Sequence, residues 1–405
     1  MKKRIALVVN TLSGGGAEKT AANLSRLLSE RYSVDIIVNH DVHLQYPHRG
    51  RVFSLRMPAD KKWMDPAYLV KALIRRTRVL KRLKKKRHYM AVLSFSEMTN
   101  LANVLSRTAG TKTILSVHNS VKNSRASSRR HWIVVNYIFP FCFKRADKTV
   151  ACSKEIAEEL ISCCGLAPEK SAAIYNGIDL DGIKENTLEN TMIPLPGAAS
   201  GKDEKLIVSV GRLSRQKGHW HLIRAVRKLK DDGLPVKLMI LGEGDLRDRL
   251  QKLISRAEME NEVILPGFVQ NPHQYMAKAD AVVFPSLYEG FSNAIAEALA
   301  CGAAIVSTDH ETGAREILAP DTDFHKKVHD RIDQAQYGML VPVCDGDFCG
   351  AAEPLKKEER LMAEAIRRIL TDQELNARYR ASALKRAEQL DIETICRQWI
   401  EVIEE

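Results

Sequence analysis

The sequence predicts an α/β protein made of two parallel-sheet halves, and three observations predict it. The chain has 405 residues, more than one typical core organises, so two domains are expected. Short apolar runs of strand length alternate with segments of helical periodicity, the pattern of a parallel sheet flanked by helices. That pattern lapses once, between about Asp181 and Glu204, where Pro194, Pro196, Gly197 and Gly201 sit among polar residues, and then begins again.

The first half opens with strand Ile5–Asn10, a loop containing Gly14, Gly15 and Gly16, and a helix running to about Glu30. Strand Val34–Val38, a helix over 66–88, and strands Tyr89–Phe95, Thr113–Val117 and Thr149–Cys152 follow, with a helix from Ser153. The second half reads as strand Leu206–Val210, helix Trp220–Leu229, and strands Val236–Leu241, Val263–Leu265, Ala281–Phe284 and Ala303–Ser307. Residues 320–337 are polar and irregular and read as a surface insertion; the final stretch is helical. The expected division is a first domain over 1–185, a linker over 186–203, a second domain over 204–385, and a C-terminal helix over 386–405 that packs back on the first domain. Two such halves present the carboxyl ends of their strands, where open parallel sheets bind ligands, to a common cleft.

Composition is that of a globular protein, 45% hydrophobic and 28% charged. No apolar run approaches the ~20 residues that span a bilayer. The N-terminal Met-Lys-Lys-Arg resembles the charged start of a signal peptide, but the apolar run behind it covers only Ile5 to Val9, so a buried strand in a cytosolic chain is expected. The eight cysteines form neither Cys-x2-Cys pairs nor a secreted framework and read as small buried hydrophobes. Charge is lopsided. Residues 1–182 carry 32 Lys and Arg against 14 Asp and Glu, and the remainder carries 30 against 36. A one-sided basic field suits a polyanionic partner: an anionic membrane, a nucleic acid or a phosphorylated substrate.

Residues 284–302 are the most informative stretch. An apolar strand ends at Pro285 and Ser286, Gly290 opens a turn, and Ser292 or Asn293 can cap the helix that follows. The start of a helix carries unpaired N–H groups and a positive dipole end, which suits a phosphate. Glu289 and Glu297 flank this turn eight positions apart, although most helix glutamates simply face water. After strand 206–210, the run Val-Gly-Arg-Leu-Ser-Arg-Gln-Lys-Gly puts Arg212 and Lys217 in one loop behind Gly211; a planar cation and a point cation can together hold a pyrophosphate. The glycines at 14–16 let a backbone pass close to a phosphate or sugar, or form a plain flexible turn. His118 ends a strand in Ser116-Val117-His118-Asn119.

The string Ser-Leu-Tyr-Glu-Gly-Phe-Ser-Asn-Ala-Ile-Ala-Glu-Ala-Leu-Ala-Cys-Gly resembles the Glu-x7-Glu signature of family 4 of the retaining glycosyltransferases. Ala151-Cys152-Ser153, Ile174–Asp179, Leu241-Gly242-Glu243-Gly244 and Leu265-Pro266-Gly267-Phe268 extend the resemblance in order along nearly the whole chain. It implies the GT-B fold, two Rossmann-like domains facing each other across a cleft. It implies a UDP-sugar donor whose diphosphate is held by Arg212, Lys217 and the backbone of Ser292, Asn293 and Ala294, with Gly290 and Phe291 in the same turn. Glu289 would then hold the donor sugar, Glu297 the ribose, and Phe268 and Val269 the base; Gly15, Gly16 and His118 would lie near donor and acceptor. Thr312-Gly313-Ala314-Arg315-Glu316 stands where the family has Gly-Gly-x-Glu, so Ala314 and Arg315 depart from its pattern. Three Asp-x-Asp strings, at 179–181, 321–323 and 345–347, read as loop caps, and neither a metal nor another cofactor is expected.

Residues 71–87 hold ten basic side chains among seventeen and no acid, with Leu69, Leu73, Leu80 and Leu83 at near-helical spacing. A basic amphipathic helix fits an anionic membrane surface or a lipid-linked diphosphate, through Arg75, Arg78, Lys81, Arg82, Lys84 and Lys85. Base-stacking aromatics are sparse around it, so no nucleic acid is expected. The expected function is therefore retaining transfer of a hexose or N-acetylhexosamine from a UDP-sugar to a polyprenyl-diphosphate-linked glycan, peripherally on the inner face of the cytoplasmic membrane. The alternatives are a soluble transferase acting on a small acceptor or storage glucan, and a non-catalytic binder of sugar nucleotides or nucleic acid.

Overall fold

The computed structural model describes residues 2–42, 44–57, 66–122, 132–188 and 204–405, so most of the expected linker lies outside the described residues. The chain divides into two units, Met1–Gly177 with Ile392–Glu405, and Ile178–Asp391. Where 185 and 386 were read from the sequence, Leu180–Leu188 is helical and takes in the first residues of the expected linker, and the helix Gln373–Gln389 runs past 386 within the second unit.

The first unit contains a seven-stranded parallel sheet in the order β3-β2-β1-β4-β5-β6-β7. Its strands are β1 (Arg4–Val8), β2 (Ser33–Val38), β3 (Arg51–Ser54), β4 (Ala91–Ser94), β5 (Lys112–Val117), β6 (Lys148–Ala151) and β7 (Ser171–Ala173). The central strands are apolar on both faces, as a sheet covered by helices on both sides requires: Ile5, Ala6 and Leu7 have no exposed surface. Helix α1 (Gly16–Arg31) follows β1, α2 (Pro66–Arg87) precedes β4, and α3 (Glu97–Leu105) follows it. Helices α4 (Phe139–Arg145) and α5 (Lys154–Cys164) flank β6. Ser153 caps α5 by accepting from the Ile156 N–H at 3.2 Å, and Gly165 ends it in the left-handed conformation.

Helix α2 shows why its sequence was only half legible. Ala72 and Leu80 are buried against Ala6, Val8 and Val92, with Leu73 and Leu83 packed beside them, so the core takes up the apolar stripe. Two basic residues share that buried face. The Arg76 guanidinium donates to Asn39 at 2.8 Å, and the Lys84 ammonium donates to the Asn103 carbonyl at 2.9 Å and to its side-chain oxygen at 2.7 Å. Lys84, expected on the outer surface, is 2% exposed. It ties α2 to the last turn of α3, sharing the Asn103 carbonyl with the Ser106 hydroxyl, which donates to it at 3.0 Å. Arg87 makes a two-pronged bond to Asp35 at 2.9 and 3.0 Å. Arg75, Arg78, Lys81, Arg82 and Lys85 are exposed, together with Val70 and Ile74.

The second unit repeats the plan in the order β10-β9-β8-β11-β12-β14-β13. The strands are β8 (Lys205–Val210), β9 (Val236–Leu241), β10 (Val263–Gly267), β11 (Ala281–Phe284), β12 (Ile305–Thr308), β13 (Asp333–Ala335) and β14 (Gly338–Val341). All pairs are parallel except β13 with β14. Its helices are α6 (Leu180–Leu188), α7 (His219–Asp231), α8 (Arg247–Arg256), α9 (His273–Lys278), α10 (Asn293–Ala300), α11 (Ala314–Leu318), α12 (Lys357–Thr371) and α13 (Gln373–Gln389). The segment read as an irregular insertion ends in β13 and is anchored: Arg315 donates to Asp309 at 2.6 Å and to Asp333 at 2.9 Å. Helix α14 (Ile392–Glu404) belongs to the first unit, where Ile395, Cys396, Trp399, Val402 and Ile403 enter the core with Ile5, Leu7 and Leu93. All eight cysteines are free, and Cys163 alone of them is exposed.

Candidate functional site

In the second sheet the strand order reverses between β8 and β11, and the loops leaving the carboxyl ends of these two neighbours form the site. Such a switch point is where an open α/β sheet leaves a crevice for a ligand. The loop after β8 runs through Gly211 and Arg212 into a tight turn at Arg215–Lys217, closed by Gly218 in the left-handed conformation. The loop after β11 carries Pro285 to Ser292. Backbone joins the two, with the Leu287 N–H donating to the Gln216 carbonyl at 2.8 Å.

Glu289 sits where the loops meet and is 9% exposed. Its carboxylate accepts from the Lys217 ammonium, from Ser286 Oγ at 2.9 Å and from Gln216 Nε2 at 2.9 Å. A carboxylate this buried needs such company, because an ion removed from water is stable only when paired and hydrogen-bonded. The end of β12 and the loop after it supply support that sequence reasoning missed. Thr312 Oγ1 donates to the Glu289 carbonyl and Thr308 Oγ1 to the Ser286 carbonyl. Gln216 was missed as well; a lone polar residue between two cations carries no pattern, and its neighbour Lys217 is the one signal that pointed there.

The other expected donor residues fall around this point. Gly211 lies under the Lys217 side chain, whose Cδ and Cε would be 3.2 Å from a Cβ there. Arg212 is exposed at the end of β8. Gly290, Phe291 and Ser292 are buried in the turn, and Asn293 and Ala294 begin α10. Ser292 holds the N-cap position but makes no side-chain cap; its carbonyl accepts from Ile295 at 3.1 Å, so backbone alone closes the turn. The Asn293 N–H, expected to face the diphosphate, donates to the Phe291 carbonyl at 3.0 Å. Glu297 stands on the second turn of α10, with His273 Nε2 at 3.7 Å from its carboxylate. Phe268, at the end of β10, is 79% exposed, and Val269 is half-buried. Arg315, the departure from the family pattern, is buried in its two ion pairs and is a structural anchor.

Two histidines of this unit and one of the first are pushed toward the neutral form by burial. His219 is pushed well down, to about 3, by burial and then by the neighbouring Lys217 charge; His310 is also lowered by burial, opposed by Glu289. In the first unit, His118 at the end of β5 is pushed down to about 4 by burial. Its Nε2 pairs with Ser116 Oγ at 2.9 Å, and its Nδ1 has no hydrogen-bond partner among the described residues. Gly15 and Gly16 start α1, where the Glu18 carboxylate lies so close that a Cβ on Gly15 would meet it at 2.1 Å. A carboxylate there repels phosphate and accepts hydroxyls, so of the two ligands expected at this loop the sugar fits better.

Among the described residues no three His, Cys, Asp or Glu side chains converge in a group able to hold a metal ion. The Asp-x-Asp strings make loop contacts: Asp179 accepts from the Gly182 N–H at 3.1 Å, and Asp323 from the His325 N–H at 3.0 Å. No described helix is long and apolar enough to cross a membrane.

Known proteins resemble this chain along nearly its whole length. Residues 14–181 match the family described as Glycosyltransferase Family 4, and residues 197–337 the family described as Glycosyl transferases group 1. The chain is 30% identical, over 98% of both proteins, to the N-acetylgalactosamine-N,N'-diacetylbacillosaminyl-diphospho-undecaprenol 4-alpha-N-acetylgalactosaminyltransferase of Campylobacter jejuni. A second transferase of that organism, which is named as adding N-acetylgalactosamine to a longer undecaprenol-linked glycan, is 23% identical over 99% of this chain and 98% of its own. Among solved structures, HepE of Anabaena, in complex with UDP and glucose, superposes with a TM-score of 0.72 at 19% identity over 99% of both chains. Sucrose-phosphate synthase of Thermosynechococcus elongatus gives 0.75 at 18%, covering 100% of this chain and 98% of its own. Both superpositions identify the GT-B fold.

Proposed function

Since the chain belongs to glycosyltransferase family 4, whose members are retaining, nucleotide-sugar-dependent hexosyltransferases, we propose that it moves an N-acetylhexosamine or hexose from a UDP-sugar to a hydroxyl of a polyprenyl-diphosphate-linked glycan. The observation that carries this reading is the half-buried Lys217–Glu289 pair at the switch point of the second sheet. It puts a cation suited to a diphosphate and a carboxylate suited to sugar hydroxyls side by side where two loops meet. The undecaprenol-linked acceptors named for the two Campylobacter relatives support the acceptor class, and the UDP bound by HepE supports the donor.

In this reading the bond between the sugar C1 and the diphosphate oxygen breaks while the acceptor oxygen bonds to C1 on the same face. The departing diphosphate takes the acceptor's proton. Negative charge grows on that leaving group, and Arg212 and Lys217 stabilise it more in the transition state than before it. Glu289 orients the sugar hydroxyls, Glu297 the ribose, and Phe268 offers the uracil a flat apolar face. The exposed basic residues of α2, with Val70 and Ile74 among them, draw the protein to an anionic membrane by charge, since the core already uses the helix's apolar stripe.

The test is a transfer assay over a panel of UDP-sugars, UDP-N-acetylgalactosamine first, with a polyprenyl-diphosphate-linked acceptor and NMR of the product. An α-linked product from an α-linked donor is expected. Arg212→Ala and Lys217→Ala should each lower the rate by about 10²–10³. Full activity in both variants, or an inverted linkage, overturns the reading.

A further inference from the structure

A second polar cavity lies in the first unit, at the edge of its sheet opposite the ligand-facing loops. It is a groove of 730 Å³ bounded by the amino ends of β1, β4 and β5 and the carboxyl ends of α2 and α3. Lys3, Arg4, Lys81, Lys84, Lys85 and Arg107 line it, with His88, and no carboxylate does. The glycine loop after β1 leaves from that strand's other end, five residues and roughly 16 Å away, so a ligand here is not the one bound near Gly15.

Helix ends alone do not account for this charge. Two helix carboxyl termini together present about one negative charge, and Lys84 already serves α3. Asp147 meets Arg107 at 3.5 Å across an exposed pair and offsets one more. Lys81 and Lys85 are exposed and make no ion pair among the described residues. Several positive charges therefore converge on the groove unmatched, at its deep end a lysine 98% shielded from water and at its rim the hydroxyls of Thr108 and Thr111. The volume lies within the usual range of small-ligand sites.

We propose that this groove binds a phosphate or diphosphate group, at a site separate from the donor diphosphate and independent of the proposed transfer. Lys81, Lys85 and Arg107 would contact the oxyanion directly, with Lys84, held in place by Asn103, beneath them. The phosphate could belong to an anionic phospholipid head group or to a soluble phosphorylated compound; the residues recognise the chemistry the two share.

The test is a calorimetric titration of the full chain with inorganic pyrophosphate in the presence of saturating UDP, repeated for Lys85→Ala/Arg107→Ala and for Arg212→Ala. Both groove residues are on the surface, so the double variant should fold normally, with circular dichroism as the check. Saturable binding is expected, weakened roughly tenfold or more in the double variant and unchanged in Arg212→Ala. Absence of binding, equal affinity in the double variant, or loss in Arg212→Ala in its place overturns the proposal. Failure of UDP itself to bind would count against the donor reading and leave the groove comparison intact. Flotation with phosphatidylcholine vesicles, with and without phosphatidylglycerol, then identifies the source. Association with the anionic vesicles that pyrophosphate displaces assigns the site to a head group; pyrophosphate binding with no effect on the vesicles assigns it to a soluble phosphate.

Discussion

Glu289 owes its position to a glycine in a different loop, Gly218. Gly218 has φ of 61°, and a Cβ on it would meet the Pro285 carbonyl oxygen at 2.4 Å. Only glycine lets the Lys217 turn lie directly on the β11 loop and so brings ammonium and carboxylate together. Gly218→Ala is therefore expected to cost roughly 1–3 kcal/mol in stability and to lower kcat, since the pair is displaced at its base. Urea unfolding and steady-state rates check this. A variant of wild-type stability and rate would show that the loops do not depend on that approach. The sequence marked the charged residues of this site by the strand-following loops that hold them and by the family strings in which they stand: Arg212 and Lys217 in the loop after Lys205–Val210, Glu289 in the loop after Ala281–Phe284. Their supporting atoms were not so marked. Gln216, Thr308 and Thr312 act through positions that only the folded loops bring together, and no local pattern marks them.

Elements were read well where an apolar run stands out from its flanks and poorly where pairing decides. β9 and β11 match their expected spans, whereas β3, β7 and β13, which close sheet edges, and β14 beside β13 escaped notice. In α2, counting charges hid the face on which they lie. Lys84 is four residues from buried Leu80 and eight from buried Arg76, so the helical repeat itself placed all three on one side. Burial, then repulsion from Arg107, pushes the Lys84 amine down to about 7, with Asp147 opposing. An unfolded lysine keeps its proton up to about pH 10.5. Between those limits the unfolded chain binds more protons than the folded one, so this residue makes stability rise with pH from about 7 to about 10, by at most about 1.4 kcal/mol per pH unit. Lys84→Met should flatten that rise in the unfolding free energy measured across this range. An unchanged slope would mean that the folded ammonium keeps its charge.

At the scale of the whole molecule, the chain leaves the first unit once and must return to complete it. It departs after Gly177 and re-enters at Ile392. On the second-unit side the Ile178 N–H donates to the Leu390 carbonyl at 3.0 Å, and Ile178 bridges to Asp391. On the first-unit side Gly177 lies against Ile392, where a Cβ would come within 2.6 Å of the Ile392 Cδ1 and 2.7 Å of its Cα. The returning helix fills a place that the sheet cannot fill by itself: Trp399 is 2% exposed and its ring lies 6.0 Å from that of Phe95. Lys112 Nζ donates to the Val402 carbonyl at 3.1 Å, and Tyr32 OH to Glu404 at 2.7 Å, so the far end of α14 is held as well. A methyl group at 177 meets the backbone of Ile392, which no rotamer change relieves, and must push the start of α14 outward. Gly177→Ala is expected to destabilise the first unit by roughly 1–3 kcal/mol. Hydrogen exchange should quicken along residues 392–404 and the strands they cover, while the Lys217–Glu289 loops of the second unit keep their protection. Trp399→Ala, which empties the middle of the same contact and leaves the crossing untouched, should cost about 3–5 kcal/mol. If Gly177→Ala speeds exchange in both units equally, the crossing couples them as one cooperative body; if it leaves α14 as protected as in the wild type, Ile392 yields more easily than its close packing implies.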